Sequence, residues 1–121
     1  MDETGKKSIL IVDDDAVVLR TMKEGLSGTY QVYGANSGLN AMRIMEKKAV
    51  DLVLLDYEMP GMNGPQVLAE IRRQPSCASV PVFFLTGLQE FDHSEFDVNG
   101  CLFKSLSQEE ILSRIASVFS S

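Results

Sequence analysis

Positive charge is scarce in this chain. Its 121 residues carry 11 Lys and Arg against 17 Asp and Glu, for a formal net charge of -6. A protein that grips a nucleic-acid backbone presents a basic face, so direct nucleic-acid binding is not expected. Long apolar runs are also missing. None approaches the roughly 20 residues needed to span a bilayer, so no membrane contact is expected either. The first eight residues, Met1 to Ser8, are polar, carry both charge signs and lack the apolar core of a secretory signal. That predicts a cytoplasmic protein. Cysteine is limited to Cys77 and Cys101. Two residues make no disulfide framework, and their spacing is not that of a metal site. Free cysteines are usually buried and inert, so both are read as reduced, partly buried thiols. No repeat, low-complexity tract or linker-like stretch divides the chain, and its length fits one domain over residues 1–121 with a single core.

What is present is an alternation of short apolar runs with amphipathic segments. Ser8 to Val12, Leu52 to Leu55 and Val82 to Leu85 are apolar and rich in β-branched or aromatic residues. Uninterrupted apolar runs of this length suit strands buried on both faces. Tyr30 to Ala35 and Gly100 to Phe103 read as weaker strands, nearer the sheet edges. Between the strands, apolar residues recur at helical spacing: Val18, Leu19, Met22 and Leu26; Ala41, Ile44 and Met45; Val67, Leu68 and Ile71; Ile111, Leu112, Ile115, Val118 and Phe119. These stripes are core faces. Ser107 to Glu110 predicts a capping box at the start of the last helix. Strands alternating with helices imply a parallel sheet covered on both faces, with right-handed crossovers. In such sheets ligands sit beyond the carboxyl ends of the strands.

The chemistry-bearing residues fall at those ends. The first run leads into Asp13, Asp14 and Asp15, the third into Asp56, the fourth into Thr86 and the fifth into Lys104. A lone Asp after a strand is more often a helix N-cap, and Asp15 fits that reading. One cap does not account for three acids. If the first and third strands are neighbours, Asp13, Asp14 and Asp56 crowd together, and each opposes the ionisation of the others unless a cation neutralises them. Magnesium does so with one or two carboxylates, several waters and a phosphate. Lys104 adds a point charge suited to a phosphoryl oxygen, and Thr86 a neutral donor.

At this point the chain resembles the receiver domains of bacterial two-component response regulators, from about Ser8 to Phe119. Ile9 to Asp15 looks like the family's first strand and acidic pair. Leu52-Val-Leu-Leu-Asp56-Tyr-Glu-Met-Pro60-Gly-Met-Asn-Gly64 looks like its phosphorylation loop. Pro81 to Gly87 resembles its fourth strand and switch hydroxyl, and Leu102-Phe103-Lys104 its fifth strand and lysine. The resemblance implies a five-stranded, doubly wound, flavodoxin-like sheet of order 2-1-3-4-5. It implies that Asp56 takes a phosphoryl group from a sensor histidine kinase, a phosphotransfer protein or a small phosphodonor. Asp13, Asp14, Asp56 and the backbone carbonyl of Glu58 would hold Mg2+, or Mn2+ in its place. Lys104 would pair with the phosphoryl group, and Thr86 would hydrogen-bond it and relay its presence to a surface read by a downstream protein. Such a chain catalyses its own aspartyl phosphorylation and dephosphorylation without being a conventional turnover enzyme.

Three departures are visible. Ser105 follows Lys104 where the family usually has proline after a cis bond. A non-proline cis bond costs about 3 kcal/mol, so a trans Lys104-Ser105 bond is expected. Cys101 stands where an aromatic residue usually reports the switch. The stretch from Thr86 to Lys104 is about one helical turn short of the family norm and has poor helical periodicity, with Phe91, Phe96 and Val98 scattered among acids. The fourth crossover helix is therefore expected to be shortened, frayed or partly replaced by loop, with His93 a solvated loop residue. The competing function is a receiver-like binding module that signals without phosphorylation. A haloacid-dehalogenase-like phosphatase would use an acid two residues after the nucleophile, where Glu58 stands, but needs a longer, cap-bearing chain.

Overall fold

The computed structural model describes residues 5–88 and 91–120. The reading of Met1 to Thr4, and of Gln89 and Glu90 in the fourth crossover, lies outside them. Nine elements follow in the order β1 (Ser8–Val12), α1 (Ala16–Leu26), β2 (Gln31–Ala35), α2 (Gly38–Lys47), β3 (Leu52–Asp56), α3 (Gly64–Arg73), β4 (Val82–Thr86), β5 (Gly100–Phe103) and α4 (Gln108–Ser120). All strand pairs are parallel and the sheet order is β2-β1-β3-β4-β5. The two weaker runs are the edge strands, and β1, β3 and β4 lie inside.

Burial on both sides explains the uninterrupted apolar runs. Every residue of β1 and β3 is buried. One face packs Ile9, Ile11, Leu52, Leu54, Leu85 and Leu102 against α1 and α4, through residues such as Leu26 and Ile115. The other packs Leu10, Val12, Val53, Leu55, Val82 and Phe84 against α2 and α3, through residues such as Met45, Val67 and Ile71.

Local signals set the helix starts. Asp15 caps α1, its carboxylate accepting from the Val17 and Val18 N–H groups at 2.8 and 3.4 Å. Ser37 caps α2. Asn63 and Gln66 form a reciprocal capping box at α3, with proline in its first turn. The predicted box at α4 is present: Glu110 N–H donates to Ser107 Oγ at 3.2 Å, and Ser107 N–H donates to Glu110 Oε1 at 3.0 Å.

The crossover between β4 and β5 is the irregular part. Among its described residues there is no helix, only turns and bends from Ser94 to Asn99, so loop replaces the expected short helix. Apolar side chains still cover the sheet here, because Phe91, Phe96 and Val98 pack on the same core as Phe84 and Cys101. Both cysteines are free and half-buried, and His93 is half-buried rather than fully solvated. No cis peptide bond occurs among the described residues, so Lys104-Ser105 is trans. None of the described helices is long and apolar enough to cross a membrane.

Candidate functional site

The sheet order reverses between β1 and β3, and the side chains just past those two strands meet there. The register sets Val12 beside Leu55 and Asp56 beside Leu85, which brings Asp13 and Asp56 to adjacent positions on the carboxyl rim. Asp13, Asp14 and Asp56 each offer a carboxylate oxygen, and the three lie within 4.8 Å of one another. Two of these acids are inside the protein: Asp13 is 0% and Asp56 3% exposed. Asp14 is exposed.

Lys104 is brought in from β5. Its Nζ lies 3.0 Å from Asp13 Oδ2 and 3.2 Å from Asp56 Oδ1, so replacing proline by Ser105 has not turned it away. The backbone fixes its base, since Lys104 N–H donates to the Thr86 carbonyl at 2.8 Å. Thr86 is 1% exposed, and its hydroxyl accepts from Leu88 N–H at 3.1 Å. A hydroxyl that accepts still has its own proton to donate.

The β3–α3 connection shapes the other wall. Glu58 N–H donates to Asp56 Oδ1 at 3.2 Å, and the Glu58 side chain stays exposed. Gly61 takes a φ of 74°, in the left-handed region that costs glycine nothing. Gly64 lies so close that an added Cβ would meet the Asp56 carbonyl oxygen at 2.6 Å. The start of α3 therefore rests directly on the backbone of Asp56 and Tyr57.

The electrostatics follow from this packing. Burial, reinforced by the charge of Asp13, pushes the Asp56 carboxyl up to about 6, against the opposing pull of Lys104 and the Glu58 N–H. Burial alone would lower the affinity of Lys104 for its proton, but Asp13 and Asp56 outweigh it and the ammonium is held more firmly than usual. Asp13 Oδ1 accepts from Asp15 N–H at 2.9 Å. Asp13 Oδ2 is buried and pairs with the Lys104 ammonium at 3.0 Å. Three converging carboxylates, two of them buried and sharing a single ammonium, fit a hard divalent cation, which takes oxygen ligands.

Asp13, Asp14, Asp56, Thr86 and Lys104 thus reach one rim, and Glu58 meets it through its N–H. Sequence reasoning missed a group beside it. Tyr57, next to Asp56, is ringed by Phe84, Phe91 and Phe96. The signal available was aromatic content in a stretch without helical period, since such side chains still need cover.

Comparison with known proteins agrees with the geometry. Residues 9–116 match the family model of the response regulator receiver domain. The chain is 40% identical over 87 residues to a protein of Vibrio cholerae named "Probable cyclic di-GMP phosphodiesterase", covering 72% of this chain and 20% of that one. It is 30% identical over 117 residues to chemotaxis protein CheY-3 of Vibrio cholerae, covering 92% of this chain and 90% of that one. The solved structure of chemotaxis protein CheY4 of Vibrio cholerae superposes with a TM-score of 0.88, covering 94% of this chain and 99% of that one; at 24% identity this is a likeness of fold. The chain spans half or less of the length of several curated relatives it matches. With the fold, the acidic rim and a family match over most of its length, this chain belongs to the receiver domains of response regulators, the regulator side of two-component signalling.

Proposed function

We propose that this receiver domain is a working phosphoacceptor, with Asp56 as the residue phosphorylated. The observation that carries the reading is one ammonium, Lys104 Nζ, set 3.2 Å from Asp56 Oδ1 and 3.0 Å from Asp13 Oδ2, both of them buried carboxylates. A phosphoryl group bound to Asp56 would find that ammonium within reach.

In the proposed reaction a carboxylate oxygen of Asp56 attacks the phosphorus of a phosphohistidine on a histidine kinase or phosphotransfer protein. The new O–P bond forms as the P–N bond breaks, and the imidazole leaves with the electron pair and later takes a proton from water. Such transfer depends on positioning and charge neutralisation more than on covalent help, and carboxylates are known nucleophiles of this class. Glu58 N–H holds Asp56 in orientation. Lys104 follows the charge from the carboxylate to the phosphoryl oxygens. The Thr86 hydroxyl donates to one of those oxygens, and its shift carries the change to the surface met by a downstream protein. Asp13, Asp14, Asp56 and the Glu58 carbonyl would hold Mg2+, or Mn2+, which when bound neutralises the phosphoryl oxygens and the carboxylates together.

The test is intact mass after incubation with acetyl phosphate and magnesium. The expected result is a gain of one phosphoryl group in the native chain, absent in Asp56→Asn and absent without the metal. The irregular β4–β5 connection favours the other reading, a module that signals without phosphorylation. Failure to gain mass with acetyl phosphate and with a panel of histidine kinases would establish it in place of the first.

A further inference from the structure

We propose that Tyr57 is a positioning residue for Asp56, and that the stacked pair Phe91 and Phe96, in place of a crossover helix, holds it. This rests on the reading of Asp56 as the phosphoacceptor. Tyr57 is the next residue in the chain, and its backbone is fixed on both sides: its N–H donates to the Leu85 carbonyl at 2.9 Å, and its carbonyl accepts from Gly64 N–H at 3.1 Å. Its ring is held by three others. Phe91 meets it edge-on with centroids 4.6 Å apart, Phe84 at 5.4 Å and Phe96 at 5.9 Å. Phe91 and Phe96 stack nearly parallel, 6.3 Å apart with 8° between planes. Edge-to-face pairs prefer defined geometry, so this group resists rotation of Tyr57 more than a greasy contact would.

The clamp is itself fastened. Arg72 of α3 donates through Nε and Nη2 to the Asp97 carbonyl at 3.2 and 2.9 Å, and its Nε lies 3.2 Å from Asp97 Oδ2. Its Nη1 donates to the Ala78 and Val80 carbonyls at 3.1 and 2.7 Å. One guanidinium therefore ties the residue after Phe96 to the end of α3 and the approach to β4. The covalent link from Tyr57 to Asp56 and Glu58 completes the path. The ring and the Tyr57 backbone bonds together set the peptide that bears Glu58 N–H, the donor to Asp56 Oδ1.

The test compares the native chain with Tyr57→Phe, Tyr57→Ala, Phe91→Ala and the pair Phe91→Ala with Phe96→Ala. Two readouts are taken: the rate of phosphorylation by acetyl phosphate with magnesium, and the backbone amide shift of Glu58 in metal-free protein. Tyr57→Phe keeps the ring and should match the native chain in both. The alanine variants should slow phosphorylation on the order of tenfold, short of the hundredfold that a 1 Å misplacement can cost, and should move the Glu58 amide. Phe91 is only half-buried, so Phe91→Ala keeps the test open where the double variant does not fold. Folded alanine variants with native rates and an unmoved Glu58 amide would overturn the proposal. Were the native chain itself not phosphorylated, the reading of Asp56 would fall, while the Glu58 shift would still decide whether Tyr57 sets its orientation.

Discussion

The middles of the strands and their carboxyl ends are equally buried and chemically opposite. Leu10, Leu54 and Phe84 are fully buried, and so, within 3%, are Asp13, Asp56 and Thr86 a few residues further along. In the middles, burial removes apolar surface from water, worth about 25 cal/mol per Å2. At the ends, the same burial withdraws carboxylates from water, which costs energy unless they are paired. Lys104 meets both acids, yet the Asp56 carboxyl still sits near 6 because burial and Asp13 outweigh that pairing. The sheet's middle thus carries the fold, and its rim holds charge in a state that binding would relieve.

The largest expected effect tests the stabilising half of this contrast. Leu54 is fully buried, with Ile11 of β1 and Phe83 of β4 as its in-register neighbours, in the face covered by α1 and α4. Leu54→Ala should cost about 2–5 kcal/mol, the usual range for a buried leucine, read as a fall in the urea midpoint. A loss below about 1 kcal/mol, inside the range of surface substitutions, would mean the strand middles are not where stability resides.

A change at the rim should act with the opposite sign. The folded Asp56 carboxyl holds its proton up to about 6, against 3.8 ordinarily. Between those values the folded state binds more protons than the unfolded state, so stability falls as pH rises and the full cost is present above about 6. At about 1.4 kcal/mol per tenfold change in proton affinity, that cost is on the order of 3 kcal/mol. Asp56→Asn should therefore stabilise the protein by up to that amount at pH 7–8, with the gain gone near pH 4. Urea unfolding of both proteins across this range measures it. An equal gain at both ends of the range, or a loss at neutral pH, would show that Asp56 is not electrostatically frustrated.

The same contrast explains what was legible in the sequence. Apolar runs such as Ile9 to Val12 announce strands because burial on both faces permits nothing else there. The strand ends announce the site because acids, a hydroxyl and a lysine close several such runs together, more than helix capping accounts for. Asp15 and Ser107 were legible because caps depend on residues close in sequence. The β4–β5 connection was legible only as a departure. Its Phe91 and Phe96 have no period, and their partners Tyr57 and Phe84 come from other elements. Arg72 was silent for the same reason: apart from the distant Asp97 carboxylate, its acceptors at Ala78, Val80 and Asp97 are backbone carbonyls, which carry no mark in the sequence.

The smallest effect tests whether the rim's cost is recoverable. A ligand that binds only the folded state at ten times its dissociation constant stabilises it by about 1.4 kcal/mol. For a domain of this size that is roughly 5 °C in Tm. Magnesium should produce such a shift in the native chain. Asp14→Asn separates the metal from the fold. Asp14 is exposed and belongs to the acidic group, yet neither Lys104 ion pair involves it. Its loss should leave the metal-free Tm within the few tenths of a kcal/mol typical of a surface change, while weakening the magnesium shift. Asp56→Asn should weaken that shift too, but from a higher metal-free Tm at pH 7.5, because the cost the cation would have relieved is already gone. Melting curves of the three proteins at pH 7.5, with and without the metal, give both quantities. An equal magnesium shift in all three would place the cation elsewhere and leave the buried charge without a ligand to relieve it.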